Sequence, residues 1–349
     1  MRNLVTLQKI HAIKPIEGAD AIELALILGW QCVAKKGEFA AGDVCVYYEV
    51  DSFLPLDERY EFLRRTSYRS NEFMGEGFRI KTMNMRGEIS QGLALPLKLF
   101  PELSAFAVGD DVTDALAVKK WEVPEVQGSA GMDIGDKPHG IPTTDETRIQ
   151  SMPEFIGHFL GKPYYITTKM DGTSCTVYHK DGKVGVCGRN REYKEDAASC
   201  SMWAYVINSG LKDRLLAWGE DIVLQGEFCG QGIQKNRLNL REPELFIFDV
   251  IRFGQAGEGD AIPTKCGLDG ILAACEKLGL KSVPIEESGD SFDYDLPGLI
   301  ERARGKYDSG RDKEGIVIRS REYGRAIIDG ISHKLSFKVL NNDFLAKEK

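Results

Sequence analysis

The stretch 165-YITTKMDGTSCTVYH-179 places a lysine two residues before an aspartate within a run of β-branched and aromatic residues. Side chains in a strand alternate between its faces, so Lys169 and Asp171 are predicted to project from the same side. Gly172 follows directly and indicates a turn. Taken alone, this tetrapeptide is typical of a surface ion pair before a turn, and the rest of the chain decides whether that interpretation holds.

Composition describes a soluble globular protein. The chain has 349 residues, of which 42% are hydrophobic and 28% are charged, values usual for folded soluble domains. Its net charge of −8 argues against a broad basic surface for non-specific nucleic-acid binding. The N-terminal residues lack a signal-peptide core, and no apolar run is long enough to span a bilayer. We therefore expect no association with a membrane.

Cysteines and histidines indicate the compartment and exclude common metal sites. The eight cysteines form no C-x-x-C pair, and the five histidines form no H-E-x-x-H pattern. Neither a zinc site nor a histidine-based metal hydrolase is therefore predicted. Scattered cysteines are typical of buried free thiols in a reducing environment. The sequence thus favours an intracellular protein, either cytoplasmic or nuclear.

Two parts of the chain have different patterns. Residues 1–120 contain short apolar alternations punctuated by glycines, which predicts a small β-barrel of the OB type, with an SH3-like barrel as the alternative. Residues 121–143 are rich in glycine and proline and are interpreted as a linker or an extended crossing segment. Residues 144–349 mix strands and helices, which predicts an α+β domain of antiparallel sheets flanked by helices.

Hydrophobic periodicity locates the elements of the second part. Strands are predicted from the apolar, β-rich runs at 164–168, 183–187, 222–229, 244–250 and 314–319. Helices are predicted at 196–217, 267–279 and 295–306.

Charged and aromatic residues recur on these strands as an ordered series. The series consists of KMDG at 169–172, CGRNRE at 187–192, LQGEFCG at 224–230, LFIFDV at 245–250, KEGIVIR at 313–319 and SFK at 336–338. Each element has an ordinary explanation, since a glutamate at a strand end is usually solvated and two phenylalanines on one strand face are usually core. The combination, rather than any single element, indicates a functional site.

Together these residues supply the parts that a nucleotidyl-transfer site requires. A lysine amine must be neutral to attack phosphorus, and a neighbouring cation or bound metal can lower its pKa from about 10.4. Asp171 and Glu314 are suited to hold a divalent cation near an α-phosphate. Lys338 can neutralise charge on phosphate oxygens, and Phe248 can stack on a purine.

In order and spacing, the series resembles the motifs of the covalent nucleotidyltransferase superfamily of ligases and capping enzymes. Within that superfamily, TDETRIQ at 144–150 and SFKVLNNDFL at 336–345 resemble ATP-dependent RNA ligases. The segment FRIKTMNMRGEISQGLALPL at 78–97 is similar to the OB domain that precedes the catalytic domain in RNA ligases of the Deinococcus and Naegleria type. The resemblance implies an OB-like barrel followed by an ATP-grasp-like, antiparallel-sheet nucleotidyltransferase domain.

The resemblance also implies roles for individual residues. Lys169 matches the nucleophile that forms lysyl-AMP, Glu314 the metal-associated glutamate, and Lys338 a lysine that contacts the α-phosphate. The implied catalytic residues are Lys169, Glu227, Glu314 and Lys338. The implied nucleotide contacts are Arg148, Lys169, Arg189, Glu227 at the ribose, Phe248 on the adenine, Lys334 and Lys338. The implied metal ligands are Asp171 and Glu314.

One position departs from the family pattern. Some RNA ligases have a lysine two residues before the counterpart of Lys338, where this chain has Ser336. Lys334 is a candidate replacement because it lies one strand repeat earlier on the same face. In the first part, the basic residues that could orient ATP phosphates or RNA are Arg79, Lys81 and Arg86. An exposed basic strand explains these three equally well.

The implied activity is ATP-dependent joining of RNA 3′-hydroxyl and 5′-phosphate ends, with Mg²⁺ or Mn²⁺, in RNA repair. The reaction would pass through lysyl-AMP and an adenylylated RNA 5′ end. We expect a monomer whose partners are ATP and these RNA ends.

Three alternatives stay open at this point. A DNA ligase or a GTP-using capping enzyme would use the same chemistry, but in the resemblance both carry their OB domain after the catalytic domain. A non-catalytic nucleic-acid-binding protein is the alternative from a different class. A binding module has no need of the four implied catalytic residues.

Overall fold

The structure is a computed structural model that describes residues 3–122, 133–253, 263–328 and 330–347. The chain forms two compact units. The first comprises Met1–Glu125, Gln150–Pro153 and Leu345–Lys349, and the second comprises Val126–Ile149 and Glu154–Phe344. Of the linker expected at 121–143, residues 123–132 lie outside the described residues.

The first unit is built from short strands, as its alternating pattern predicted. The strands are β1 (Val5–Lys9), β2 (Ala12–Pro15), β3 (Ile22–Ile27), β4 (Trp30–Lys35), β5 (Val44–Tyr48), β6 (Ser52–Leu54), β7 (Tyr68–Asn71), β8 (Gly75–Arg79), β9 (Met83–Met85), β10 (Glu88–Ser90), β11 (Leu93–Pro96) and β12 (Lys119–Lys120). They pair antiparallel in the orders β1-β5-β11, β2-β3-β4, β12-β6-β8-β7 and β10-β9. The helical segments are α1 (Arg64–Ser67) and 3-10 turns at Glu58–Leu63, Leu97–Leu99 and Pro101–Leu103.

Strand β5 explains the continuous apolar run VCVYY. Its residues Val46 and Tyr48 belong to one buried cluster, whereas Cys45 and Tyr47 belong to another. The strand is therefore covered on both faces, so it lacks the apolar and polar alternation of a half-exposed strand. The hydroxyl of Tyr47 donates to the carbonyl of Gln91, at 2.8 Å, which satisfies the one polar atom that this side chain buries.

The second unit contains two main sheets. Its strands are β13 (Asp133–Asp136), β14 (Thr147–Arg148), β15 (Tyr164–Lys169), β16 (Thr173–Lys180), β17 (Lys183–Cys187), β18 (Arg191–Tyr193), β19 (Ile222–Cys229), β20 (Glu244–Phe253), β21 (Pro263–Lys265), β22 (Lys281–Ser282), β23 (Ile285–Gly289), β24 (Gly315–Ser320), β25 (Arg325–Ile328), β26 (Ile331–Lys334) and β27 (Ser336–Leu340). The larger sheet has the order β13-β18-β17-β16-β19-β20-β21, with β22 beside β20. The smaller sheet has the order β14-β27-β24-β15-β23, and β25 and β26 form a separate hairpin.

Helices of the second unit lie close to the predicted positions. They are α2 (Ser201–Asn208), α3 (Leu211–Trp218), α4 (Leu268–Leu278) and α5 (Leu296–Arg302). Three further segments, α6 (Asn342–Lys347) and the 3-10 turns at Ile149–Ser151 and Pro153–His158, include residues of both units. The helix predicted at 196–217 is divided because Gly210 adopts φ 71°, a left-handed conformation that ends a helix. Among the described residues, no helix is both long and apolar enough to cross a membrane.

Each main sheet has its own apolar support. Trp203 of α2, Leu215 of α3 and Ile271 of α4 are buried in one cluster with strand residues of the larger sheet. An aromatic cluster packs on the smaller sheet, where the rings of Phe159 and Phe337 meet edge to face with centroids 4.8 Å apart. The two sheets are thereby held as rigid surfaces, which is what a site built between strand ends requires.

We expect Phe337→Ala to lower the free energy of unfolding of the second unit by about 3–5 kcal/mol. The Phe337 ring is fully buried and contacts three other phenylalanines, so its removal leaves a cavity. Urea denaturation followed by tryptophan fluorescence measures the change. The same truncation at Phe73, whose exposure is 63%, is the control, and equal losses in both variants would contradict the prediction.

Candidate active site

The predicted nucleophile lies where the chain passes from one main sheet to the other. Strand β15 of the smaller sheet ends at Lys169, and β16 of the larger sheet begins at Thr173. The connection consists of Met170, Asp171 and Gly172. Met170 is buried with Cys229 and Phe246 in an apolar cluster, which anchors the crossing and sets the direction of the two charged residues beside it.

Three carboxylates surround the amine of Lys169. Its Nζ lies 2.7 Å from Oε1 of Glu314, and both side chains are largely buried. Burial lowers the pKa of Lys169, but the negative charges of Glu314 and Glu227 outweigh burial and hold the pKa above its usual range. The lysine is therefore an ammonium paired with Glu314, a resting form that has no lone pair with which to attack.

The other two carboxylates have shifted acidities. Burial, reinforced by the charges of Glu314 and Asp171 and opposed by Lys169, raises the pKa of Glu227 to about 7. Burial and the charge of Glu314 also raise the pKa of Asp171, against the opposing charge of Arg237. Carboxylates crowded at one place resist simultaneous ionisation. Such crowding is common at functional sites because it creates an affinity for added positive charge.

The glycine of the KMDG stretch is required by packing against β19. A Cβ at position 172 would lie 2.5 Å from the carbonyl oxygen of Phe228 and 2.6 Å from Sγ of Cys229. Gly315 is similarly confined, since its Cβ would lie 2.1 Å from the carbonyl oxygen of Val339. The backbone next to Asp171 and the backbone next to Glu314 can therefore approach neighbouring strands closely only because both positions lack a side chain.

Tyr307 connects the two halves of the ion pair, and sequence reasoning missed it. Its hydroxyl donates to the carbonyl of Lys169 at 2.7 Å and accepts from the backbone N–H of Glu314 at 3.1 Å. The residue is buried, so this one hydroxyl ties the backbone of Lys169 to that of Glu314 out of contact with solvent. Tyr307 follows the RARGK stretch in a loop with no recognisable motif, and no signal in the single sequence distinguishes it.

Lys338 and Arg148 share a face of the smaller sheet with Lys169. Lys338 pairs with Val317 in register, and Val317 pairs with Thr167. Arg148 pairs with Lys338 across the parallel edge strand β14. Because side chains two residues apart on a strand point the same way, this register puts all three cationic side chains on one surface.

Phe248 lies at a β-bulge of the larger sheet. Gln225 pairs with Asp249, whereas the next residue, Gly226, pairs with Ile247. Phe248 is therefore the additional residue, and a bulge redirects the side chain that it carries. The guanidinium carbon of Arg319 lies 5.6 Å from the centroid of the Phe248 ring, so the aromatic face is directed toward the smaller sheet.

Two predicted nucleotide contacts are engaged by carboxylates away from Lys169. Arg189 lies in the exposed β17–β18 turn and forms an ion pair with Asp145 at 2.7 Å. Lys334 forms an ion pair with Glu146 at 3.0 Å. Lys334 is the last residue of β26 and lies two residues before Ser336. In the smaller sheet, Ser336 is opposite Arg319 of β24, whereas Lys169 is opposite Gly315 of the same strand. Four strand residues, or about 13 Å, separate those two register positions.

Glu146 organises the cluster around Ser336. Its carboxylate accepts from Ser336 Oγ at 2.5 Å and pairs with Arg319 at 3.1 Å as well as with Lys334. Burial raises the pKa of Glu146, but the cations of Lys334 and Arg319 outweigh it and lower the pKa to about 2. The TDETRIQ stretch alone predicts no role for Glu146, because its three partners, Arg319, Lys334 and Ser336, are distant in the sequence. A cleft of about 390 Å³ opens beside the cluster, with Lys334 and Lys265 among its lining residues.

The basic residues of the first unit divide into two groups. Burial, together with the charges of Arg69 and Arg79, lowers the pKa of Lys81. Arg79 also pairs with Asp51 at 3.3 Å. Arg86 lies in the β9–β10 hairpin and donates to the carbonyl of Gly18 at 2.9 Å.

The donor set beside Lys169 suits a divalent cation that retains other ligands. Asp171, Glu227 and Glu314 supply the oxygen atoms that Mg²⁺ and Mn²⁺ prefer. Within the described ranges, no three acidic, histidine or cysteine side chains are close enough to hold an ion by themselves. A magnesium-like ion characteristically binds one or two carboxylates and completes its shell with water and phosphate oxygens. The residues present fit that mode.

We expect Tyr307→Phe to lower the free energy of unfolding by about 1–3 kcal/mol, because it removes two buried hydrogen bonds, one to the carbonyl of Lys169 and one from the N–H of Glu314. Chemical denaturation measures the loss. Tyr323→Phe, at a position with 38% exposure, is the control and is expected to stay within about 0.5 kcal/mol of the parent. A similar change in both variants would show that the Tyr307 hydroxyl does not support the site.

Comparisons with known proteins identify both units. A family model for RNA ligase matches residues 162–339, and a model for an OB-fold domain matches residues 4–97. A comparison with curated proteins found no match. The RNA ligase match includes the crossing segment, Glu227, Phe248, Glu314 and Lys338.

Solved structures agree over the whole chain. Naegleria gruberi RNA ligase with PPi is 34% identical with a TM-score of 0.87, and the match covers 100% of this chain and 99% of that chain. A variant of that ligase with ATP and Mn is 32% identical with a TM-score of 0.88, covering 99% of both chains. Another variant, with AMP and Mn, gives the same identity, TM-score and coverage.

These matches confirm the predicted resemblance and the predicted fold class, an N-terminal OB-fold domain followed by a mostly antiparallel ligase domain. The sequence identity to the Naegleria gruberi ligase is above 30% across the full length, and the RNA ligase family model covers half of the chain. The chain belongs to the RNA ligase family.

Proposed function

We propose that this RNA ligase is ATP-dependent and joins RNA 3′-hydroxyl and 5′-phosphate ends through a lysyl-AMP intermediate on Lys169. The observation that carries the proposal is the Lys169–Glu314 ion pair, enclosed by Asp171 and Glu227 at the crossing between the sheets. The similarity to Naegleria gruberi RNA ligase structures with ATP and Mn, with AMP and Mn and with PPi supports it.

In the first step, Lys169 is the nucleophile toward ATP. Its ammonium must leave Glu314 and lose a proton, after which the Nζ lone pair forms a bond to the α-phosphorus. The bond from that phosphorus to the bridging oxygen breaks, and pyrophosphate leaves with the electron pair. The buried setting of Lys169 excludes water, which would otherwise compete for the same phosphorus.

Two further transfers complete the reaction. An oxygen of the RNA 5′-phosphate attacks the AMP phosphorus, and the phosphorus–nitrogen bond to Lys169 breaks, so that the lysine recovers its proton. The RNA 3′-hydroxyl then attacks the 5′-phosphorus, loses its proton and displaces AMP. The lysine acts as a carrier of AMP and is returned unchanged, as in covalent catalysis generally.

Other site residues have proposed binding roles. Lys338 and Arg148, on the same surface as Lys169, would contact phosphate oxygens. Phe248, redirected by its bulge, would stack on the adenine, while Glu227 would accept from a ribose hydroxyl. Arg189 and Lys334 remain proposed nucleotide contacts that would first have to exchange Asp145 and Glu146 for phosphate.

A divalent cation is proposed at Asp171 and Glu314. When bound, Mg²⁺ or Mn²⁺ would supply positive charge that offsets both the carboxylates and the phosphate oxygens. Asp171 is within the crossing segment and Glu314 precedes β24, so the two ligands come from separate parts of the chain. Folding of the second unit is what brings them together.

The remaining proposals concern setting and assembly. Sealing of 3′-hydroxyl and 5′-phosphate ends regenerates an intact RNA strand, and RNA repair is therefore the proposed role. We propose that a monomer suffices, since the residues proposed for catalysis come from one unit of one chain. Seven of the eight cysteines are buried, which agrees with the proposal of a reducing, intracellular setting.

Incubation with ATP and Mn²⁺ is expected to add the mass of one AMP to Lys169. Intact-protein and peptide mass spectrometry would detect the adduct, and EDTA would prevent it. Lys169→Ala is expected to abolish the adduct, whereas Lys183→Ala, an exposed lysine in the same unit, would retain it. Absence of an adduct on wild-type protein shown to be free of AMP would refute the mechanism.

Nicked duplexes with a 5′-phosphate test the nucleic acid that is joined. We expect sealing when the 3′-hydroxyl strand is RNA, and a loss of at least about tenfold in rate when both strands at the nick are DNA, since the 2′-hydroxyl is the group that distinguishes RNA from DNA. Denaturing gel electrophoresis measures the rates. Equal or faster sealing of DNA would favour a DNA ligase with the same adenylylation chemistry.

A further inference from the structure

Arg237 is a buried cation that contacts the site, and none of the proposed catalytic or binding roles involves it. It lies in the connection between β19 and β20 and places Nη1 3.0 Å from Oδ2 of Asp171. Its side chain is only 13% exposed, and that of Asp171 only 14%. The pair is therefore well shielded from solvent, where a charge-assisted hydrogen bond has most effect on geometry.

The guanidinium is also fixed from its other side. Its central carbon lies 4.1 Å from the centroid of the Phe344 ring, a distance typical of a cation–π contact. Phe344 belongs to α6 and is itself buried. Arg237 therefore bridges the crossing segment and the C-terminal helix, two parts of the second unit that are far apart in the sequence.

The loop that carries Arg237 is locked by hydrogen bonds. Ser309 Oγ donates to the carbonyl of Arg237 at 2.5 Å, and Arg311 donates to the carbonyl of Lys235 at 3.2 Å. The side chain of Asn236 exchanges two bonds with the backbone of Leu240. Arg237 is thus presented from a rigid support, as a group that positions another residue must be.

The position of the pair suggests what it does. Asp171 lies two residues from Lys169, and the two charges attract each other. If Asp171 could rotate freely, it would compete with Glu314 for the ammonium. A bond to one carboxylate oxygen sets the side-chain torsion of Asp171 and hence also the direction of the second oxygen.

We propose that Arg237 is a positioning residue for the adenylylation step. It holds the Asp171 carboxylate in the orientation that this step requires, and the Phe344 ring packs against the guanidinium and keeps it in place. This inference rests on the proposed lysyl-AMP mechanism. Arg237 acts through Asp171 and does not contact ATP. Loss of the guanidinium should therefore slow the formation of lysyl-AMP while leaving the affinity for ATP unchanged.

Single-turnover adenylylation with radiolabelled ATP and Mn²⁺ tests the proposal on the full chain. Arg237→Ala is expected to lower the rate constant about 10–100-fold, the usual effect of removing a group that orients a carboxylate. The ATP concentration for half-maximal rate should change less than about twofold if binding is untouched. Arg241→Ala is the matched control, since Arg241 is an exposed arginine of the same loop and should behave as wild type.

Two further measurements separate positioning from a merely structural role. Guanidinium chloride at millimolar concentration should restore part of the rate of Arg237→Ala, whereas equal ionic strength from sodium chloride should not. Arg237→Lys, which keeps the charge but loses the fork, should fall between wild type and Arg237→Ala. In an Asp171→Asn background, Arg237→Ala should cause no additional loss, because the group that it orients is already removed.

The outcomes are distinguishable. A wild-type rate in Arg237→Ala, an independent loss in the Asp171→Asn background, or a rise in half-saturating ATP with no guanidinium rescue would each overturn the inference. If Arg237→Ala does not fold, Arg237→Lys is used in its place. A wild-type adenylylation rate in Arg237→Lys would then overturn the inference, and so would a loss of rate that is equally large in the Asp171→Asn background. Failure of wild-type protein to form any adduct would instead reject the proposed function itself.

Discussion

A connection of three residues between two sheets is the constraint on which the site depends. β15 ends at Lys169 in the smaller sheet, and β16 begins at Thr173 in the larger one. Four residue steps span at most about 14 Å, so the two sheets must meet at this point. Burial of Met170 and close packing of Gly172 against β19 keep the crossing in place. The amine of Lys169 consequently lies near carboxylates from both sheets, Glu227 and Glu314.

The electrostatics of the site follow from that meeting. Glu227 lies on β19 of the larger sheet, and Glu314 immediately precedes β24 of the smaller sheet. Asp171 lies in the connection between the two sheets. Each carboxylate is partly desolvated, and together they leave an excess of negative charge around Lys169 and Arg237. A site of this kind holds its lysine as an ammonium and gains from added positive charge. The same excess of negative charge therefore explains both the Lys169–Glu314 ion pair and the affinity of the site for a divalent cation.

The positions of several strands were predictable from the sequence. The runs at 183–187 and 222–229 coincide with β17 and β19, because local periodicity and β-propensity act over a few residues. The spacing of Lys169 and Asp171 predicted that their side chains lie near each other, and their charges do interact, although Asp171 follows β15 and is not part of it. The sequence predicted only a turn at Gly172, whereas the structure shows that a side chain there would collide with Phe228 and Cys229. Neighbours across a sheet are not visible in a single strand.

Composition and motif order by themselves indicated the family and the order of the two parts, since these depend on local patterns and residue type, and they also indicated the residues that we propose for the chemistry. Tertiary structure decided which groups hold that chemistry in place. Tyr307, Arg237 and Glu146 contact partners 66 to 190 residues away, and Tyr307 and Arg237 lie in loops without regular periodicity. For the same reason, Lys334 forms its ion pair with Glu146, and the sequence did not predict this partner. Contacts of this range arise only when distant strands pair, and no local pattern encodes them.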